Sequence, residues 1–94
     1  MIKNSTKPFQ ESESEVLTEE MPSNKLILFN DDFNTFDFVI ETLMKVCKHD
    51  LIQAEQCAYL VHYSGKCIVK EGTYTKLEPL CTALLDRGLT AEID

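Results

Sequence analysis

Apolar and polar positions divide the chain into two zones. Up to about residue 24 the apolar residues are scattered, as in Phe9-Gln10-Glu11-Ser12-Glu13-Ser14-Glu15, and Pro22-Ser23-Asn24 punctuates the end of the zone. Such a stretch holds too little apolar surface to offset the entropy of ordering. Residues 1–24 are therefore expected to be a flexible N-terminal extension and residues 25–94 the folded core. The core opens on Lys25-Leu26-Ile27-Leu28-Phe29-Asn30, an apolar run long enough for a strand and too short for a helix. A polar turn, Asn30-Asp31-Asp32-Phe33-Asn34, follows. Phe36, Val39, Ile40, Leu43, Met44 and Cys47 then recur at helical spacing. Asn34 is the expected N-cap, with Asp37 in the first turn and Lys45, Lys48 and His49 near the negative pole at the far end.

Asp50 with Gln53 three residues on has the outline of a capping box. It opens a second helix with the stripe Leu51, Ala54, Ala58 and Val61, His62 at the edge of that stripe, and Gly65 just past its end. Lys66 to Lys70 reads as a strand ending near Gly72. Thr75 and Glu78 repeat the capping spacing for a third helix through Leu77, Leu80, Cys81, Leu84 and Leu85 to Gly88, with Pro79 early enough to be tolerated. Leu89 to Ile93 is a last short strand. The order β-α-α-β-α-β predicts an α+β sandwich, three helices packed on a short, mainly antiparallel three-stranded sheet.

Composition narrows the function. The 94 residues make one small domain, and 44% hydrophobic with 27% charged residues is ordinary for a globular chain. Nine Lys and Arg against 16 Asp and Glu give a net charge of −7. That balance speaks against nucleic acid and anionic membrane surfaces, whose binding rests on Lys and Arg. It favours protein partners or cationic groups, a free amine among them. No apolar run approaches the length of a membrane span, and Met1-Ile2-Lys3-Asn4-Ser5 leads into no apolar signal segment. Cys47, Cys57, Cys67 and Cys81 form no C-x-x-C pair, so they are expected to be reduced core thiols in a cytoplasmic protein. A monomer is expected.

Chemistry-bearing residues converge at one place. Asn30, Asp31 and Asp32 carry side-chain oxygens between a strand and a helix, and His62 comes from the next helix. Oxygen acceptors beside an apolar surface suit a primary ammonium, with three donors and one positive charge. Taken alone, the same residues serve as ordinary turn residues and a helix-edge histidine. A metal site is not expected, because adjacent Asp31 and Asp32 rarely point one way and no second cluster completes a coordination sphere. Nor is an enzyme: Cys57 and His62 are five apart on a helix and diverge, Cys67 would have to fold back, and no Gly-rich loop offers an oxyanion or phosphate site. No cofactor is implied.

Together these residues carry a resemblance. Leu26 to Asn34 with Phe38-Val39, then Ala54-Glu55-Gln56 leading to Val61-His62-Tyr63-Ser64-Gly65-Lys66, are similar to the ClpS adaptor family over about residues 25–94. The resemblance implies a non-enzymatic adaptor that holds proteins by a bulky hydrophobic N-terminal residue (Phe, Leu, Tyr or Trp). It would hand them to a AAA+ unfoldase–protease of the ClpA–ClpP or ClpC–ClpP type. By matching positions, Asn30, Asp31 and His62 would hold the substrate's α-amino group, with Asp32 and Asn34 at the entrance. Phe36, Val39, Ala58, Val61 and Leu89 would line the side-chain pocket. Glu71 and Lys76 would dock on the N-terminal domain of the unfoldase. Asn34-Thr35-Phe36 departs from the family's commoner Thr-Pro-Met, and Ala58 from its frequent Met; a larger Phe36 opposite a smaller Ala58 keeps the volume while moving the wall. The alternative is a structural interaction module that shares only the fold.

Overall fold

The computed structural model describes residues 23–94; the rest of the expected N-terminal extension, residues 1–22, lies outside them. Three strands and three helices follow in the order β1 (Asn24–Phe29), α1 (Phe36–Val46), α2 (Leu51–Ser64), β2 (Lys66–Gly72), α3 (Tyr74–Asp86) and β3 (Thr90–Ile93). β1 is the central strand of a sheet ordered β2-β1-β3, and both of its pairings are antiparallel. Alternation places Leu26 and Leu28 of β1, Cys67 and Val69 of β2 and Ala91 of β3 in one buried cluster with the inner faces of the helices. Val39, Leu43 and Cys47 come from the α1 segment, Ala54, Cys57, Ala58 and Val61 from α2, and Leu77, Cys81 and Leu84 from α3. All four cysteines are buried free thiols.

The register between β1 and β2 slips by one residue. Leu26 pairs with Lys70 and Ile27 with Ile68, so Val69 is an extra residue on β2, a β-bulge. The bulge leaves the Val69 carbonyl in need of a donor, and His49 Nε2 supplies one at 2.8 Å. Lys48 turns the chain with a left-handed φ of 61° just past α1, and the His49 N–H closes onto the Leu43 carbonyl at 3.3 Å. One buried imidazole therefore joins the end of α1 to the edge strand β2.

Helix starts follow the rule expected from sequence, at partly different residues. α2 opens at Asp50, whose Oδ1 accepts the Gln53 N–H at 2.7 Å, and ends on Gly65 at φ 95°. α1 is capped by Thr35 rather than Asn34: Thr35 Oγ1 accepts the Phe38 N–H at 3.0 Å, while the Asn34 side chain is engaged elsewhere. α3 is capped by Thr73 rather than Thr75, with its Oγ1 3.4 Å from the Lys76 N–H and its carbonyl accepting the Lys76 and Leu77 N–H groups. The earlier start puts Pro79 sixth in the helix, past the first turn, so the Thr75 carbonyl loses its intrahelical donor.

Thr42 is fully buried on α1 and its hydroxyl has no partner. Thr42→Val keeps the shape and removes that orphan. Urea unfolding should show unchanged stability or a gain of up to about 1 kcal/mol; a loss of that size would mean that the hydroxyl has a partner in solution.

Candidate functional site

The turn between β1 and α1 is built by Asp31. Its Oδ1 accepts the N–H groups of Phe33 at 2.8 Å and Asn34 at 2.9 Å, and its Oδ2 accepts from Asn34 Nδ2 at 2.9 Å. Asn34 Nδ2 also donates to the Gly88 carbonyl at 2.9 Å, which ties the turn to the α3–β3 connection. Partial burial raises the Asp31 carboxyl, but hydrogen bonds from the Asn34 side chain and from the Asn34 and Phe33 N–H groups together outweigh it. The net result is a carboxyl held below its ordinary value, and so an anion at neutral pH.

A second tie sets the turn against α2. The Asn30 N–H donates to the Gly65 carbonyl at 2.9 Å. Gly65 is in the left-handed conformation that favours glycine, at the point where the helix stops. The last turn of α2, carrying His62, thus faces Asn30 and Asp31. Its unpaired carbonyls make that helix end the negative pole, and a cation beside it gains from the pole as well as from Asp31.

Between these elements lies a groove of ≈ 780 Å³. Asn30, Asp31, Asp32 and His62 form its polar side. Phe36, Val39, Ala58 and Val61 are apolar lining, and no lysine or arginine lines it. The Phe36 and His62 rings meet edge to face with centroids 6.5 Å apart, and His62 meets Tyr63 in the same way at 4.7 Å. A bipartite site of this kind, acceptors and negative charge at one end and apolar wall at the other, suits an ammonium joined to a hydrophobic side chain.

Of the residues singled out from sequence, nine line the groove: Asn30, Asp31, Asp32, Asn34, Phe36, Val39, Ala58, Val61 and His62. Asn34, expected at an entrance, has both amide hydrogens committed to Asp31 and Gly88, so its structural work is to hold Asp31. Leu89 stands behind the lining. It is 4% exposed and borders a small hollow of ≈ 20 Å³ shared with Val39 and Val61, because the turn at Gly88 and its N–H bond to Leu84 draw it into the core. Glu71 and Lys76 are exposed at the end of β2 and the start of α3, away from the groove. Sequence reasoning missed Thr35, Tyr59 and Tyr63 in the lining. Tyr59 and Tyr63 lie one turn apart and flank His62 on the helix, a spacing that carried the signal.

Burial pushes the Cys67 thiol up to about 12, helped by contact with Cys57, and the Cys47 thiol up to about 11. Thiols so placed stay protonated at neutral pH and are poor nucleophiles. Among the described residues no cluster of His, Cys, Asp and Glu has the makings of a metal centre.

The fold and the groove define a small binding domain, and comparison with known proteins assigns its family. The family model described as ATP-dependent Clp protease adaptor protein ClpS matches residues 19–92. An ATP-dependent Clp protease adapter protein ClpS from Thermosynechococcus vestitus is 38% identical over 77 residues, 81% of this chain and 82% of the relative. The Salmonella gallinarum protein of the same name is 46% identical over 44 residues, 47% of this chain. There the match spans 42% of the relative's length. Among solved structures, Agrobacterium tumefaciens ClpS2 bound to L-phenylalaninamide superposes with a TM-score of 0.67 at 20% identity, covering 79% of this chain and 96% of that one. The chain belongs to the ClpS family.

Proposed function

We propose that this protein is an adaptor that recognises other proteins by a free α-amino group joined to a bulky hydrophobic N-terminal side chain, and delivers them to a Clp AAA+ unfoldase–protease. The observation that carries the reading is the groove itself, with Asn30, Asp31 and His62 at its polar end and Phe36, Val39, Ala58 and Val61 along its wall. Asn30 Oδ1, Asp31 and the His62 ring accept from the ammonium, and the side chain fills the apolar part. That the related ClpS2 was solved with L-phenylalaninamide, which carries a free α-amino group beside a Phe side chain, supports the same chemistry here. The role is binding and transfer without catalysis. Asp32 screens the entrance, and Leu89 backs the pocket from behind. Glu71 and Lys76, remote from the groove, are the proposed contact with the N-terminal domain of a ClpA- or ClpC-like unfoldase, which leaves the groove open while the adaptor is docked. The N-terminal extension is offered to the same unfoldase. We place the protein in the cytoplasm as a monomer.

Magnitudes are consistent with this. Burying a Phe or Leu side chain contributes about 1.5–3 kcal/mol, and each charge-assisted hydrogen bond about 1.5–3 kcal/mol. After the loss of peptide freedom, affinity near the micromolar level is expected. The test is fluorescence anisotropy with otherwise identical peptides beginning with Phe, Leu, Ile, Met or acetyl-Phe. Phe and Leu should bind, and acetylation should abolish binding, because it removes the charge and leaves the acceptors unpaired. His62→Ala, an exposed position, should weaken Phe-peptide binding about tenfold or more without unfolding the domain. Equal binding of acetyl-Phe and Phe would refute amine recognition. Failure of every free terminus to bind would leave a structural interaction module with this fold.

A further inference from the structure

The outward side of α2 carries large apolar side chains among its polar residues Gln53, Glu55 and Gln56. Ala54, Cys57, Ala58 and Val61 face the core, while Leu51, Ile52, Tyr59, Leu60 and Tyr63 are exposed. Large apolar side chains gathered on an exposed helix face mark a surface for a partner. Part of this outer surface is concave. A second hollow of ≈ 480 Å³ is lined by Phe36, Glu55, Gln56, Tyr59 and Leu60. It shares Phe36 and Tyr59 with the groove, so these two rings form a common ridge. Phe36 is braced against His62, and Tyr59 packs on Tyr63 at 4.4 Å, so the ridge is held by ring contacts on both sides.

We propose that this hollow is a second specificity subsite, which takes an apolar side chain at the second or third position of the peptide whose first residue occupies the groove. The inference rests on the amine-and-pocket reading above. Continuity with the groove selects the occupant: a peptide advances about 3.3–3.6 Å per residue when extended and alternates its side chains, which puts the Phe36–Tyr59 ridge shared by the two hollows within reach of one of the next two residues. Leu60 belongs to the hollow and not to the groove, which makes it the position that separates the two.

The experiment uses the full chain and the Leu60→Ser variant, with three labelled peptides beginning Phe-Ser-Ser, Phe-Leu-Ser and Phe-Ser-Leu. With the unsubstituted protein, one of the Leu-containing peptides should bind roughly fivefold more tightly than Phe-Ser-Ser, as for partial burial of one Leu. Leu60→Ser should erase that gain and leave Phe-Ser-Ser affinity unchanged. Equal affinity for the three peptides overturns the subsite while leaving recognition of the N-terminal residue intact, whereas no binding of any of them overturns both. Uniform weakening of all three by Leu60→Ser would assign Leu60 to support of the groove and overturn the subsite. If Leu60→Ser keeps the peptide preference and instead changes sedimentation, the surface belongs to a second copy of the chain and the subsite is overturned likewise.

Discussion

Asp31→Ala should weaken binding of a Phe-initiated peptide by between about tenfold and a few hundredfold, more than any other single change in the groove. One carboxylate performs two tasks that alanine cannot. In the proposed site it supplies negative charge for the ammonium, where a charge-assisted hydrogen bond contributes about 1.5–3 kcal/mol, and in the fold it accepts three hydrogen bonds that shape the turn from Asp31 to Asn34. Asp31→Asn separates the tasks. Its Oδ1 can still receive the Phe33 and Asn34 N–H groups, but the charge is gone and its amide faces the Asn34 amide. The turn should survive and the ammonium should be lost, so Asn should bind nearly as weakly as Ala while unfolding closer to the unsubstituted protein. Near-normal affinity of Asp31→Asn would show that charge at this position is not used.

The same carboxylate gives a pH dependence of stability. Its native pKa is depressed below the unfolded value by the hydrogen bonds it accepts, despite the opposing effect of burial. The unfolded state therefore binds more protons between the two values. The stabilisation is fully present above the unfolded carboxylate pKa and is lost as pH falls through the depressed native one. Asp31→Asn should flatten that acid limb in urea unfolding followed from pH 6 downward, and an unchanged limb would assign it to other carboxylates.

Leu43→Ala should reduce stability by about 2–5 kcal/mol, the range for removing a fully buried leucine. For a small domain this is a large share of the total. Leu43 is 0% exposed at the centre of the cluster formed by α1, α2 and the sheet. Its carbonyl also receives the Cys47 and His49 N–H groups at the end of α1. The cavity opens where α1 meets its neighbours in the core. Denaturant unfolding measures the effect; a loss below about 1 kcal/mol would mean that the neighbours collapse into the space.

The strands, the helices and their order were legible because hydrophobic period and terminal residues agreed with one another: Asp50 with Gln53, and Gly65 at the end of α2, are local signals read by local rules. The start of α3 was misplaced by two residues because Thr73 and Thr75 offer the same hydroxyl, and nothing in the local sequence says which threonine the strand hands over. Asn34 was misread as a cap for a different reason. Its partners, Asp31 and Gly88, include one 54 residues away, and a side chain held by a distant carbonyl is not free to cap the helix beside it. The left-handed Lys48 and the bulge at Val69 left no local signal either, because His49 links them across 20 residues.

The candidate site divides along the same line. The sequence by itself determined its chemistry: acceptors and negative charge at Asn30, Asp31 and Asp32, an imidazole at His62, and apolar residues at helical spacing behind them. Family membership was likewise readable from those motifs. Tertiary structure alone decided that they meet, through the Asn30 N–H on the Gly65 carbonyl and the Asn34 amide on the Gly88 carbonyl. It also decided that Leu89 stands behind the wall, and that Phe36 and Tyr59 form a ridge between two hollows. Residue type and short-range period are properties of the chain, whereas which face of one helix closes on which turn depends on contacts between elements far apart in sequence, and those exist only once the core has packed.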